Sequence, residues 1–222
     1  ITIGIPALIA KIFRRKKFVF EVRDLWPEGA IELGVLKNKF IQKMSYAFEK
    51  KCYKSSSLVV ALSPGMKSHI TDRFPKTNAI SVTNSANIKL FSSPKEIIVY
   101  PQLVGKKFAI YTGNIGMVNN SELLYRTAKK LREEGREDIV ILLIGDGQQK
   151  EEIIKKSEGL DTILFLDLMP KVELVNYVKN ALASIIPLND TPMLSTSSPN
   201  KLFESMAAPI PGIPTTNGWI KK

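Results

Sequence analysis

The sequence predicts an α/β fold with two parallel sheets, and three observations predict it. Apolar runs of strand length alternate with helical periodicity along nearly the whole chain, the pattern of parallel strands joined by crossover helices. A polar stretch from Asn84 to Lys106, broken by Pro94 and Pro101 and without a sustained period, interrupts the alternation and reads as a linker. The length of 222 residues suits two small domains or one large one. The expected architecture is two Rossmann-like domains, residues 1–95 and 96–222. The first is expected to be incomplete at its N-terminus and the second truncated at its C-terminus, because the chain opens on Ile1 in the apolar run ITIGIPALIAKIF and stops at NGWIKK without a helix signal.

The elements follow in order. FVFEV (18–22), SLVVAL (57–62) and AISVT (79–83) read as strands rich in Val and Ile. Between the first two, Ile41, Met44, Phe48 and Cys52 recur at helical spacing across 38–54. Residues 64–74 read as a shorter helix with Pro64 near its start. The alternation restarts with FAIYT (108–112) and a helix over 121–135, whose buried stripe is Leu124, Ala128 and Leu131. IVILLI (139–144) leads through Gly145-Asp146-Gly147 to a charged helix, TILFL (162–166) to a helix over 171–180, and ALASIIPL (181–188) to Ser198-Pro199-Asn200-Lys201-Leu202-Phe203-Glu204. In that last segment Ser198 is the expected N-cap and Pro199 the first helical residue.

Composition excludes several classes. A single cysteine, Cys52, rules out a disulfide framework within the chain and fits a reducing cytoplasm. One histidine, His69, and no CxxC pair argue against a Cys/His zinc site; His69 is expected to be structural or superficial. No apolar run is long enough to span a bilayer. The net charge is +11, and the basic runs Lys11–Lys17, Lys37–Lys43 and Lys50–Lys54 all lie in the first half. Solvated helix faces account for most of that charge, and ALIAKIFRRKK also has the make-up of an interfacial helix on anionic lipid. Nucleic acid is disfavoured: the charge is not interleaved with aromatics and no recognition motif appears.

In open parallel sheets ligands bind beyond the carboxyl ends of the strands, and four loops there carry chemistry. Asn200, Lys201 and Glu204 share one helix face. A cation at a helix N-terminus suits a phosphate and a carboxylate one turn on suits paired hydroxyls, so the set suits a nucleotide-sugar; the plainer reading is a capped helix with a surface Lys/Glu pair. Gly113-Asn114-Ile115-Gly116 permits close backbone approach to an anion, or is simply a strand-to-helix turn. Gly145 and Asp146 would contact a base or ribose, or only turn the chain. Neither loop matches GxGxxG, which disfavours an NAD-type site. Arg23-Asp24-Leu25-Trp26-Pro27-Glu28 places two carboxylates, a guanidinium and an indole at a strand end. Asp24 or Glu28 would orient an acceptor hydroxyl there, or the set is a buried Arg–Asp pair with a packing Trp.

EVRDLWPE, VVALSPGM, YTGNIG, LLIGDG and SPNKLFESMAA together resemble the landmarks of the retaining GT-B glycosyltransferases of family four, most closely the bacterial O-antigen and capsule branch that includes N-acetylfucosamine-type transferases. The resemblance runs from about Ile5 to Trp219. It implies two Rossmann-like domains, with a nucleotide-sugar donor, a UDP-sugar, held mainly by the second. By that likeness Glu204 holds the donor ribose, Lys201 and nearby amides the diphosphate, and Gly113–Gly116 faces the phosphates. Arg23, Asp24 and Glu28 border the sugar and acceptor as the catalytic set. It further implies a polyprenyl-linked glycan acceptor, a peripheral place on the inner membrane face, and no cofactor or metal. The chain departs from the family pattern at several points. Asn114 and Asn119 stand where an Arg and a Lys are common, Thr196 stands where many members have a second Glu, no His lies near Arg23, and Pro209, Pro211 and Pro214 would disturb the helix end and the strand after it. A non-catalytic nucleotide-sugar-binding or membrane-partner subunit and a GT-B sugar epimerase are the alternatives to a transferase.

Overall fold

In the computed structural model residues 3–93 and 100–221 are described. They form two compact units: one runs to Asn84 and includes Thr191–Ser198 and the residues from Asn217 on, and the other comprises Ser85–Asp190 and Pro199–Thr216. The boundary expected between residues 95 and 96, and Pro94 beside it, lie outside the described residues. Among the described residues no helix is long and apolar enough to cross a membrane.

The first unit is a three-stranded parallel sheet of β1 (Val19–Val22), β2 (Leu58–Ala61) and β3 (Ala79–Ser81), in that order. Val19 pairs with Leu58 and Val59 with Ala79. Its helices are α1 (Gly4–Arg14), α2 (Glu28–Glu32), α3 (Lys39–Ser55) and α4 (Pro64–Arg73). Asn38 starts α3 by accepting from the amides of Phe40 (2.9 Å) and Ile41 (3.2 Å), and Ser63 starts α4 by accepting from Met66 (2.9 Å) ahead of Pro64. The core gathers Phe18, Phe20, Val22, Tyr53, Val59 and Ile70. Helix α1 seats on it through Gly4 and Leu8, with Gly4 against Cys52, and leaves Ile5, Ile9, Ile12 and Phe13 exposed.

The second unit is a five-stranded parallel sheet in the order β6 (Ile163–Leu166), β5 (Ile139–Ile144), β4 (Lys107–Thr112), β7 (Ala183–Ile186), β8 (Gly212–Pro214). Its helices are α5 (Ile88–Phe91), α6 (Ser121–Glu133), α7 (Lys150–Lys156), α8 (Lys171–Asn180) and α9 (Asn200–Ala207). Side chains alternate across the sheet. Ile110, Val140, Leu142 and Ile144 pack with Val175 and Val178 on one face, while Tyr111, Ile141 and Leu143 pack with Leu124, Ala128 and Ile153 on the other. The chain leaves β4 towards β5 and β6, then returns to the other side for β7 and β8. The order therefore reverses between β4 and β7, where this class of sheet opens a crevice.

The α/β class and the parallel sheets are those the sequence predicts; two local expectations are corrected. The stretch read as a linker, Asn84 to Lys106, opens where one unit gives way to the other, and its described parts carry local structure: Asn87 caps α5, a 3₁₀ turn covers Pro101–Leu103, and Phe91 and Leu103 are buried in the core. Helix α9 begins at Asn200 with Pro199 as its cap residue, so Ser198 does not cap it. Asn84 donates to the Ser198 carbonyl at 2.5 Å and Pro199 is extended, which leaves the Ser198 hydroxyl one residue too early, buried and unpaired. The prolines after α9 do not prevent a strand, because Gly212–Pro214 pair in parallel with β7 as the sheet edge. An edge strand needs only one row of hydrogen bonds, and the Pro211 carbonyl takes the Ser184 amide at 2.8 Å.

Candidate functional site

The carboxyl ends of β4 and β5 carry two interlocked turns. Gly113, at φ +127°, donates its amide to the Ile144 carbonyl (2.9 Å), and Ile115 donates to Asp146 (2.8 Å). A Cβ on Gly145 would collide with the Gly113 carbonyl, so Gly145 is required by the approach of one turn to the other. The Asp146 carboxylate accepts the Gly147 amide at 2.8 Å, which fixes its own turn. The Asn114 carbonyl accepts from the Tyr111 hydroxyl (2.5 Å) and from Asn119 Nδ2 (2.9 Å), while Asn114 Oδ1 lies against Gly116.

Helix α9 brings its first turns to the Gly113 turn. The Lys201 ammonium sits 4.9 Å from the centre of the Tyr111 ring, and 3.3 Å from the position a Gly113 Cβ would take. Among the described residues it makes no hydrogen bond and no ion pair. Burial lowers its pKa to about 8, against the opposing pull of Glu204. Glu204 is 15 % exposed, and its Oε1 accepts from Lys171 Nζ, the first residue of α8. Asn200 opens α9 with an exposed side chain, and the amides of this first turn have no carbonyl to reach within the helix. Gly113, Lys201 and Glu204 thus stand together, with Asn200, Asn114, Gly116, Gly145 and Asp146 in the same unit.

The loop from Arg23 to Glu28 belongs to the first unit. Arg23 pairs with Glu21 at 3.5 Å, both exposed; Asp24 is exposed, and Trp26 is 44 % exposed. Glu28 turns instead to α4. It lies 3.3 Å from Arg73 and 2.5 Å from His69, a contact in which neither Glu28 Oε2 nor His69 Nε2 completes a hydrogen bond. Arg73 also holds the buried Glu49 through two bonds of 3.1 and 2.8 Å. Burial pushes the Glu49 carboxyl up despite that partner, and burial keeps the Tyr53 phenol neutral. The charged partners of Glu28 come from α4 and not from its own loop, which gives Glu28 an architectural use. Thr196, in a 3₁₀ turn of the same unit, accepts at its carbonyl from Ser63 (2.5 Å) and donates its hydroxyl to Met193 (2.7 Å).

Sequence reasoning missed Lys171 and Tyr111. Tyr111 reads as one more apolar strand residue. Lys171 left a signal, since a cation at the first position of a helix opposes the macrodipole and calls for another reason to be there. Among the described residues no cluster of three or more His, Cys, Asp or Glu side chains is placed to hold a metal ion.

Comparison with known proteins adds the following. The family model described as "Glycosyl transferases group 1" matches residues 106–222, more than half of the chain. No curated protein matches. Among solved structures, HepE of Anabaena in complex with UDP and glucose superposes with a TM-score of 0.71 at 12% identity, covering 98% of this chain and 58% of that one. Sucrose-phosphate synthase of Thermosynechococcus elongatus gives 0.67 at 14% identity, over 98% of this chain and 55% of that one. WaaG, a glycosyltransferase involved in lipopolysaccharide biosynthesis, gives 0.62 at 12% identity, over 91% and 58%. The chain spans between half and two thirds of the length of each of these structures. At such identities the likeness is one of fold, α/β with parallel sheets of the GT-B type.

Proposed function

The chain belongs to the glycosyl transferases of group 1, and from that membership we propose that it transfers a sugar from a UDP-sugar to a polyprenyl-linked glycan in bacterial surface-polysaccharide synthesis, with retention of configuration. The observation that carries this reading is the half-buried Lys201 ammonium, without a hydrogen bond or ion pair at the Gly113 turn, one helical turn from Glu204. A cation partly stripped of water in this way gains from an anion that completes it. A diphosphate set against Lys201 and the amides of Asn200 and Lys201 at the start of α9 does so. Glu204 then accepts from the ribose hydroxyls, while Asn200, Gly113, Asn114 and Gly116 line the phosphates and Gly145 and Asp146 the nucleoside. HepE, which binds UDP and glucose on the same fold, supports the choice of nucleotide.

In the transfer, the bond from the anomeric carbon to the diphosphate oxygen breaks, and the acceptor oxygen bonds to that carbon on the same face. The acceptor's proton passes to the departing diphosphate. The protein's share is to stabilise the leaving charge, through Lys201 and backbone amides and without a metal. Asp24 and Arg23 are assigned to the acceptor side, with Glu28 as the support of their loop. The basic first unit is assigned to anionic lipid, which places the protein peripherally on the cytoplasmic face of the inner membrane. WaaG, involved in lipopolysaccharide biosynthesis, supports the pathway class.

The test is donor turnover by the full-length protein carrying Glu204→Ala. Loss of hydrogen bonds to a charged acceptor is expected to raise donor KM by about tenfold or more; wild-type turnover and affinity would sink the assignment. A second reading rests on Asn114 and Asn119, which bond to one another where the family commonly has cations. On that reading the complete protein binds UDP-sugars tightly yet transfers nothing to any lipid-linked acceptor.

A further inference from the structure

Lys171 is in an unfavourable place for its own helix. It is the first residue of α8, where the helix dipole is positive, and the acidic residue that suits this end is Glu173. No gain to α8 explains a cation there. What explains it lies across the unit, where the Lys171 ammonium bonds Glu204 Oε1 on α9. Among the described residues Glu204 Oε2 has no partner, and Lys171 has no other anion. Glu204 is mostly buried and Lys171 nearly half exposed, so the carboxylate is the fixed member and the lysine the long arm laid over it.

We propose that Lys171 is a positioning residue for nucleotide recognition: by gripping Oε1 it holds the Glu204 carboxylate in one rotamer and leaves Oε2 to accept from a ribose hydroxyl. This rests on the donor reading above and adds a specificity element to it. A free glutamate swings among several rotamers and must be ordered when the ligand arrives. With Lys171 in place that ordering is already present in the empty protein. The ion pair also removes a mismatch of charge: with Lys171 and Lys201 both near it, Glu204 leaves a net cation facing the diphosphate. The specificity that follows is for ribose over 2′-deoxyribose, because a fixed acceptor discriminates against a missing hydroxyl more sharply than a mobile one.

The experiment is titration of the full-length protein with UDP and with 2′-deoxy-UDP, in wild type and in Lys171→Met, Lys171→Gln, Lys171→Arg and Glu204→Ala. Wild type is expected to prefer UDP by about tenfold or more, the worth of one hydrogen bond to a charged acceptor. In Lys171→Met or Lys171→Gln the preference falls to about threefold or less, while Lys171→Arg, which keeps the cation, retains most of it. A ligand that merely lost a distant stabilising contact would weaken for both nucleotides equally and leave the ratio unchanged. If Lys171→Met and Lys171→Gln keep the wild-type ratio while Glu204→Ala abolishes it, the role of Lys171 is overturned and the donor reading stands. If Glu204→Ala itself keeps both affinities, the donor reading falls and takes the inference with it. Should Lys171→Met not fold, the ratio in Lys171→Gln decides.

Discussion

Lys201 is where residue-level physics and the candidate function meet. Its burial beside Tyr111 was not legible in the sequence, which shows a lysine near a helix start but not the ring and glycine turn it is pressed against. Asn200, Lys201 and Glu204 were legible as a set because their spacing alone puts them on one face. Lys171 was not, since its partner is 33 residues away. The lowered pKa of Lys201 gives a signed prediction. Below about pH 8 the lysine is charged and competent to bind an anion. Above it, the proton must be taken up on binding, so UDP affinity falls by about tenfold per pH unit until the pKa of the bound state is reached. Glu204 is the charged group that acts on the ammonium, with Lys171 as the partner of Glu204, and Tyr111 stays neutral because burial raises its pKa. Titrations with UDP from pH 6 to 10 check this, and Lys201→Arg is expected to flatten the profile. For stability the sign is the same as for any lysine whose folded pKa is depressed. From about 8 to the usual 10.5 the unfolded chain holds the proton that the folded one has lost, so this contribution to stability rises with pH over that window.

At the scale of elements, strands and helices were read closely because their hydrophobic periods are strong: IVILLI is β5 and residues 171–180 are α8, both with the expected limits. What failed were places where a distant residue fixes the backbone. Asn84 donates to the Ser198 carbonyl, and the free edge of the sheet lets the Pro-rich segment pair as β8. The glycine turns were read as permissive for a ligand, but Gly145 is needed first for the fit of one turn against the other. Gly145→Ala is therefore expected to cost about 2–4 kcal/mol in chemical denaturation and to weaken UDP binding by displacing Gly113. Gly29→Ala, in α2, meets nothing within 4 Å and is expected to be neutral or stabilising by about 0.5 kcal/mol. Equal effects of the two substitutions would remove the packing account of the turn.

For the molecule as a whole, charge is unevenly divided. Residues 1–84 hold fifteen Lys and Arg against six Asp and Glu, so they carry +9 of the net +11. The exposed Ile5, Ile9, Ile12 and Phe13 of α1 end in the run Arg14-Arg15-Lys16-Lys17, an apolar stripe followed by cations. The full-length protein is expected to sediment with vesicles rich in phosphatidylglycerol, not with neutral ones, and to be released by high salt. Ile12→Ser with Phe13→Ser should weaken that binding at low salt, and equal retention by neutral vesicles would count against the membrane placement.

The lone ammonium of Lys201 has one further consequence, which concerns how a donor is found and not how it is held. An empty protein that carries a half-buried cation with its pKa lowered by burial is less stable than it need be. Any anion that completes the site returns that deficit as a higher melting temperature, growing with the logarithm of its concentration over Kd. The fold is thus its own reporter. Melting the protein against UDP, GDP, ADP and CMP ranks the nucleotides before any acceptor, linkage or product is known.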